Sequence, residues 1–184
     1  MKPVTLIILN TENNLKKVWP GFYRLNFLLY ISLMKTQTVI FDLDGTLALI
    51  DKRRAKAAKA DGKINWKVFF DPANIQLDEP NWPVISAFQS MKAAGHRVGI
   101  LSGRDAISIH ETCKWLYANG INFDFLKMRP KGDHTPDDIL KKQWLDELKA
   151  DGHQILCVFD DRDKVVKMWR ENGIACFQVA PGNF

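Results

Sequence analysis

Asp42 and Asp44 flank a single leucine, and Gly45-Thr46 follow them; a second acidic pair, Asp160-Asp161, lies far along the chain. Each pair ends an apolar run, Thr38-Val39-Ile40-Phe41 in the first case and Ile155-Leu156-Cys157-Val158-Phe159 in the second. Carboxylates at the end of a buried strand are costly unless a cation lies among them. Oxygen donors of this kind suit a hard divalent ion. Ser102-Gly103-Arg104 ends another apolar run and places a hydroxyl and turn amides where an anion can be held. Read singly, each motif has a plainer explanation. Asp-x-Asp-Gly occurs in calcium loops, but the further acids such a loop needs are missing after Gly45. Asp160-Asp161 alone could favour a helix dipole, and Ser102-Gly103-Arg104 alone is a turn. Their order along the chain, each after an apolar run, argues against coincidence.

The elements that must position these residues follow a strand–helix rhythm. Continuous rather than alternating apolar runs predict strands buried on both faces, at 38–41, 97–101, 123–126, 155–159 and 175–179. Between them the spacing predicts helices over 81–94, with Asn81 as cap and Pro83 in the first turn, over 105–119, and over 137–150. The 105–119 helix carries Ile107, Ile109, Cys113, Leu116 and Tyr117 as a partial stripe. The 137–150 helix carries Ile139, Leu140, Trp144, Leu145 and Leu148. A last helix bears Val165, Val166, Met168 and Trp169 and stops at Gly173. The fold class this implies is α/β, a three-layer sandwich with a mostly parallel, Rossmann-like sheet. In such sheets ligands bind at the strands' carboxyl ends, so Asp42, Ser102 and Asp160 converge on one edge.

Composition sets few exclusions. The 184 residues carry a net charge of +5, of which residues 1–33 contribute +3. Cys113, Cys157 and Cys176 show neither zinc-ligand spacing nor a disulfide framework; Cys157 and Cys176, within apolar strand-like runs, are expected to be buried free thiols, which fits a reducing cytoplasm. No apolar run reaches the ~18–20 residues of a transmembrane helix. Met34 precedes the first strand, so residues 1–33 are read as an extension outside the core and 34–184 as the domain.

Asp42-x-Asp44-Gly45-Thr46, Ser102, a lysine and Asp160-Asp161 together resemble the four motifs of the haloacid dehalogenase-like phosphotransferases. The resemblance implies a phosphatase acting through an aspartyl-phosphate on Asp42, with Asp44 as proton donor and then base. It also implies Mg2+ held by Asp42, Asp44 (through its carbonyl), Asp160 and Asp161, with a lysine neutralising charge between Asp42 and phosphate. Lys131, Lys141 and Lys142 are candidates for that lysine; Lys141 is favoured, in the helix before the Asp160 strand, and Lys131 is the runner-up.

A narrower similarity covers residues 37–184. Asp160-Asp161-Arg162-x-x-Val165-Val166-x-Met168-Trp169-Arg170 and Gly173-Ile174-x-Cys176-Phe177-Gln178-Val179-Ala180-x-Gly182 resemble the end of the 3′-phosphatase domain of phage polynucleotide kinase-phosphatase. Arg129-x-x-Gly132-Asp133 with Asp137-Asp138 fits as well. By this resemblance Thr46, Arg53, Ser102, Gly103, Arg104 and Arg129 are substrate-binding, and the substrate is a 3′-phosphorylated DNA or RNA end. No GxxxxGK[ST] loop is present, so the kinase half is absent. A small-molecule phosphatase such as a nucleotidase is the alternative, and a non-catalytic nucleic-acid-binding module is a third reading.

Residues 47–80 are too long for a plain strand–helix loop and are expected to form a small lid, not a full cap domain. Within them, residues 51–67 carry a net +5, a patch suited to a nucleic-acid backbone. Trp66, Phe69 and Phe70 follow and could stack on a base. Equally, Lys52–Ala60 is a solvated helix and the aromatics pin the lid to the core.

Overall fold

The computed structural model describes residues 36–182. The reading of residues 1–33 as an extension lies outside the described residues. The apolar tetrad Thr38–Phe41 forms β1, buried at every position. Around it, β4 (Arg97–Asp105), β5 (Phe125–Arg129), β6 (Ile155–Asp160) and β7 (Cys176–Gln178) make a five-stranded sheet in the order β5-β4-β1-β6-β7. All four pairings are parallel. A second, two-stranded antiparallel sheet pairs β2 (Ala48–Leu49) with β3 (Glu79–Pro80).

The alternation of side chains along β1 builds the two cores. Val39 and Phe41 face one way, into a cluster with Val84, Ile85 and Phe88 of α3 (Trp82–Ala93) and Trp115 and Leu116 of α4 (Ile109–Ala118). Ile40 faces the other way, against Leu140, Trp144, Leu145 and Leu148 of α5 (Asp137–Ala150) and Val165, Val166 and Trp169 of α6 (Asp163–Glu171). Helices on both faces of a parallel sheet complete the expected α/β sandwich.

Several boundaries differ from the sequence expectation. β4 runs to Asp105 rather than ending at 101, because it keeps pairing with β5, with an irregularity between Ser102 and Asp105. Ser102 therefore lies within a strand. β5 is shifted to 125–129, which puts Arg129 on its last residue. The helix expected from 105 begins at Ile109, after a 3₁₀ turn over Ala106–Ser108. The expected stripe on that helix is only partly met: Leu116 is buried, but Ile107, Ile109 and Tyr117 are exposed, and Thr112 and Trp115 are buried in their place. Asn81 occupies the cap position of α3 but does not cap it; its side-chain amide donates to the Thr46 carbonyl at 2.8 Å.

Between β2 and β3 the chain forms α1 (Asp51–Ala57), the single-turn α2 (Trp66–Phe69) and a 3₁₀ turn, Pro72–Leu77. Ile50, Ala57 and Phe69 make a third, small apolar cluster of their own. The helix expected over 52–60 thus ends at Ala57, and the following residues return through a bridge between Ala58 and Ile64. Among the described residues, no helix is long and apolar enough to cross a membrane.

Candidate active site

Asp42 follows β1 directly, and its amide donates to the Phe159 carbonyl of β6 at 2.9 Å, which ties the first acidic motif to the strand that carries the second. Gly45 then turns the chain with φ +86°, a conformation glycine adopts without strain. A Cβ there would lie 2.1 Å from a carboxylate oxygen of Asp161, so glycine is also required for the two motifs to approach. The carboxylates of Asp42, Asp160 and Asp161 place one oxygen each within 4.8 Å of one another, and all three are buried.

Lys141 reaches into this group from α5. Its Nζ donates to Asp42 Oδ1 at 2.6 Å and to Asp160 Oδ2 at 2.8 Å. Lys141 belongs to the buried row of α5, three and four residues before Trp144 and Leu145, so it points inward with them. Lys142 faces outward and pairs with Asp146, and Lys131 is exposed. The Trp169 indole, fully buried, donates to Asp160 Oδ2 at 3.3 Å. Burial pushes the Asp42 carboxyl well above its ordinary range; Lys141 opposes this and Asp160 and Asp161 add to it. Burial and the neighbouring Asp160 push Asp161 up to about 6. Burial works against the Lys141 ammonium, yet Asp160 and Asp42 together hold it firmly charged. When all three buried carboxylates are ionised, the single ammonium leaves an excess of two negative charges, all on hard oxygen donors, and this excess adds to burial in raising the proton affinity of Asp42 and Asp161. That donor set fits a divalent cation of the Mg2+ type.

A second ionic group adjoins the first. Asp44 Oδ1 accepts from Arg53 Nη2 at 2.6 Å and from Arg104 Nε at 2.8 Å, and Arg104 Nη2 also contacts it. Asp78, after the 3₁₀ turn of the insertion, accepts from Arg53 Nε at 2.8 Å and Arg104 Nη2 at 2.6 Å. Arg53 is only 1% exposed, with Arg104 and Asp78 buried beside it. Burial alone would raise the Asp44 carboxyl, but Arg104 and Arg53 outweigh it and hold the group below its usual value. Burial dominates at Asp78, pushing it up to about 6 against the same two arginines.

The remaining expected site residues fall in different places. Ser102 is fully buried and its Oγ accepts from the Arg104 amide at 3.2 Å. Thr46 is fully buried too, its hydroxyl donating to Asp161 Oδ1 at 3.4 Å, behind the carboxylate cluster. Gly103 and Arg129 line a cavity of about 650 Å³ together with Asp42, Asp44, Lys141, Asp160 and Asp161. Arg129 is steadied there by its Nε bond to the Gly103 carbonyl at 2.9 Å and by Asp137, which Arg162 also contacts. A Cβ on Gly103 would sit 2.7 Å from Asp137 Oδ1, so this position also depends on glycine.

The basic patch of residues 51–67 is largely consumed by local partners. Arg53 belongs to the Asp44–Asp78 group, Lys52 pairs with Glu79 at 2.6 Å, and Lys56 donates to Asn74 at 2.7 Å. All five lysines of the patch, Lys52, Lys56, Lys59, Lys63 and Lys67, are nonetheless exposed. Asp78 is the residue that sequence reasoning missed. It follows Leu77 as an ordinary loop acid, and its partners lie 25 and 26 residues away, so no local signal marks it.

Comparison with known proteins agrees with this geometry. The family described as "Polynucleotide kinase PNKP phosphatase domain" matches residues 36–184. A protein of Autographa californica nuclear polyhedrosis virus, named for bifunctional polynucleotide kinase/RNA ligase activity, is 29% identical over 172 residues, covering 89% of this chain and 22% of its own. A chain in the structure of the Pnkp1/Rnl/Hen1 RNA repair complex is 32% identical with a TM-score of 0.67, over 82% of this chain and 45% of that one. This chain therefore spans less than half the length of either relative. The class C acid phosphatase from Bacillus anthracis shares the fold at a TM-score of 0.58 and 16% identity, over 95% of this chain and 81% of that one. With its carboxylate cluster at the carboxyl edge of the parallel sheet, the chain belongs to the polynucleotide kinase PNKP phosphatase domain family, and it is a haloacid dehalogenase-like phosphatase.

Proposed function

We propose that the chain is a Mg2+-dependent phosphomonoesterase that removes 3′-phosphates from nucleic-acid ends through an aspartyl-phosphate intermediate. The observation that carries this reading is the position of Asp42, which lines the cavity while Lys141 grips its Oδ1 at 2.6 Å. A carboxylate held in this way presents its second oxygen as a nucleophile toward phosphorus. Asp42, Asp160 and Asp161, with the Asp44 carbonyl, would hold Mg2+. When bound, the ion supplies charge neutralisation for the phosphoryl oxygens. Lys141 offsets the charge that builds between Asp42 and the phosphate in the transition state.

Asp44 serves as the proton shuttle. Arg104 and Arg53 keep it ionised before substrate arrives, the state required of a base toward water. An incoming phosphate brings negative charge close to Asp44 and raises its proton affinity, so the carboxylate takes up the proton of the phosphate monoanion, or one from solvent, and then passes it to the leaving oxygen. All three contacts of Asp44 with Arg53 and Arg104 fall on Oδ1, and the residue lines the cavity. Arg129 binds the substrate phosphate or its neighbour, aided by the amides around Gly103. Ser102, Thr46, Arg53 and Arg104 support the site from behind rather than from the cavity wall. The insertion over 47–80 is the lid of a domain that spans residues 34–184, working in a reducing cytoplasm.

The test is a phosphate-release screen with Mg2+ across 3′- and 5′-phosphorylated oligonucleotides, DNA and RNA, and the corresponding mononucleotides. Preferential release from 3′-phosphorylated oligonucleotides is expected. Equal turnover of mononucleotides would make the enzyme a nucleotidase with the same chemistry.

A further inference from the structure

The cavity has two unlike halves. One holds Asp42, Asp160, Asp161, Lys141 and Arg129; the other is apolar and comes mainly from the insertion, through Ile50, Ile64, Trp66, Phe69 and Phe70. At about 650 Å³ it is far larger than a phosphate group needs. A ligand that is anionic at one end and flat and apolar at the other fits this division.

The three aromatic rings of the insertion do different jobs. Phe69 is buried against Ile50 and Ala57, and the Arg53 guanidinium lies 4.5 Å from its ring centre. It meets Trp66 and Phe70 nearly at right angles, with interplanar angles of 86° and 84°. Trp66 and Phe70, by contrast, are 58% and 46% exposed while lining the cavity. Their rings stack on each other at 5.6 Å with an interplanar angle of 21°. Scattered exposed apolar side chains need no explanation, but two stacked rings at the wall of a catalytic cavity are a different matter. Phe69 props the pair, and through Arg53 the prop is continuous with Asp44.

We propose that Trp66 and Phe70 form a stacking platform for the terminal nucleobase of a 3′-phosphorylated strand. This rests on the function proposed above and assigns that site its specificity element. The two rings are already in contact, so the base lies on the outer face of the pair and is not inserted between them. Stacking reads the presence of a base and tolerates its identity, as an enzyme acting on ends of any sequence requires. The high exposure of Trp66 leaves the platform open on the solvent side, where the strand can continue, and the same insertion carries exposed Lys59 and Lys67.

The test compares a 3′-phosphorylated oligonucleotide with one whose terminal nucleoside is replaced by an abasic tetrahydrofuran unit. Both are assayed on the wild-type chain and on Trp66→Ala, Phe70→Ala and Trp66→Phe. Wild-type kcat/KM is expected to fall by about 10- to 100-fold on the abasic end, mainly through KM. Trp66→Ala should lose a similar factor on the normal end and nothing further on the abasic one, and Trp66→Phe should recover most of the loss. Trp66 is mostly exposed, so the fold should tolerate the change; thermal melting checks this. Equal rates of wild type on both ends, or an equal loss on both ends in Trp66→Ala, would overturn the platform. Turnover of a mononucleoside 3′-phosphate as efficient as that of the oligonucleotide would overturn its assignment to a strand end. No release from any 3′-phosphorylated nucleic acid would overturn the function itself, a result distinct from the other two.

Discussion

Two buried ionic groups meet at Asp42-Leu43-Asp44 and are built on opposite charge balances. On one side, Asp42, Asp160 and Asp161 face a single ammonium, that of Lys141. On the other, Asp44 and Asp78 face two guanidiniums, those of Arg53 and Arg104. The first group has unmet negative charge; the second is neutral within itself. Buried charge is tolerated only when it is compensated, so an unbalanced group implies a partner still to come and a balanced one implies a fixed scaffold. A group whose carboxylates suit a cation is thus set beside one that fixes Asp44, the carboxylate proposed above as the proton shuttle, with only Leu43 between the two in sequence.

Breaking the unbalanced side should have the largest effect. Asp42→Asn is expected to lower phosphate release by on the order of 10⁴-fold. It should leave the melting temperature equal or higher, because it removes one of three crowded carboxylates. A large fall in melting temperature would show that Asp42 is structural.

The balanced side should respond in the reverse manner, chiefly in stability. Asp78→Ala leaves two buried guanidiniums sharing Asp44, and should cost about 3–5 kcal/mol in denaturant unfolding. Activity should fall as well, as Asp44 loses its fixed position. A loss below about 1 kcal/mol would mean that the arginines find other partners.

Metal and pH sharpen the comparison further. Saturating Mg2+ at about 100 times its Kd should stabilise the chain by about 2.7 kcal/mol, read as a rise in melting temperature over the EDTA-treated protein. The sign of its pH dependence follows from Asp161. Burial and Asp160 raise its carboxyl from 3.8 to about 6, so the metal-free fold binds more protons than the unfolded chain between these values. That contribution to stability is complete below pH 3.8 and is lost as pH rises through about 6. Stabilisation by Mg2+ should accordingly grow across this window as the ion replaces the proton. A Mg2+ shift independent of pH would sever the ion from these carboxylates.

The smallest effect belongs to the lysine next in sequence to Lys141. Lys142→Ala removes only an exposed pair with Asp146 one turn away, and should change stability by about 0.3–0.5 kcal/mol with kcat/KM unchanged. A substantial loss of activity would bring Lys142 back as the motif lysine.

How much of this was legible in the sequence depended on range. The α/β order and the strand ends bearing Asp42 and Asp160 rest on patterns within one element or its immediate neighbours, and the choice of Lys141 rests on the family resemblance and its place in the helix before the Asp160 strand. Lys141 sits in the apolar row of its helix, with Leu140, Trp144 and Leu145, and that spacing already turns it inward. The phase of α4 is misread in part because exposed Ile109, and Ile107 in the turn before it, are as apolar as the buried Trp115. Trp115 is fixed by contacts outside the helix, including its indole bond to the Asp78 carbonyl at 3.0 Å. The aromatic cluster after residue 65 was left with two readings in sequence. The fold divides them, with Phe69 packing inward and Trp66 and Phe70 left at the cavity.

The chemistry, a pair of acidic motifs at the ends of buried strands, was therefore written locally, because strand ends and apolar runs are properties of neighbouring residues. Which charges neutralise which was not. Lys141 meets Asp42 across 99 positions of chain, and Arg104 meets Asp44 across 60. Arg53 read as a substrate-binding cation within a basic patch, and Asp78 read as nothing in particular. Folding turned them into the balanced half of the site, since compensation of buried charge is settled by proximity in space, on which sequence distance sets no limit.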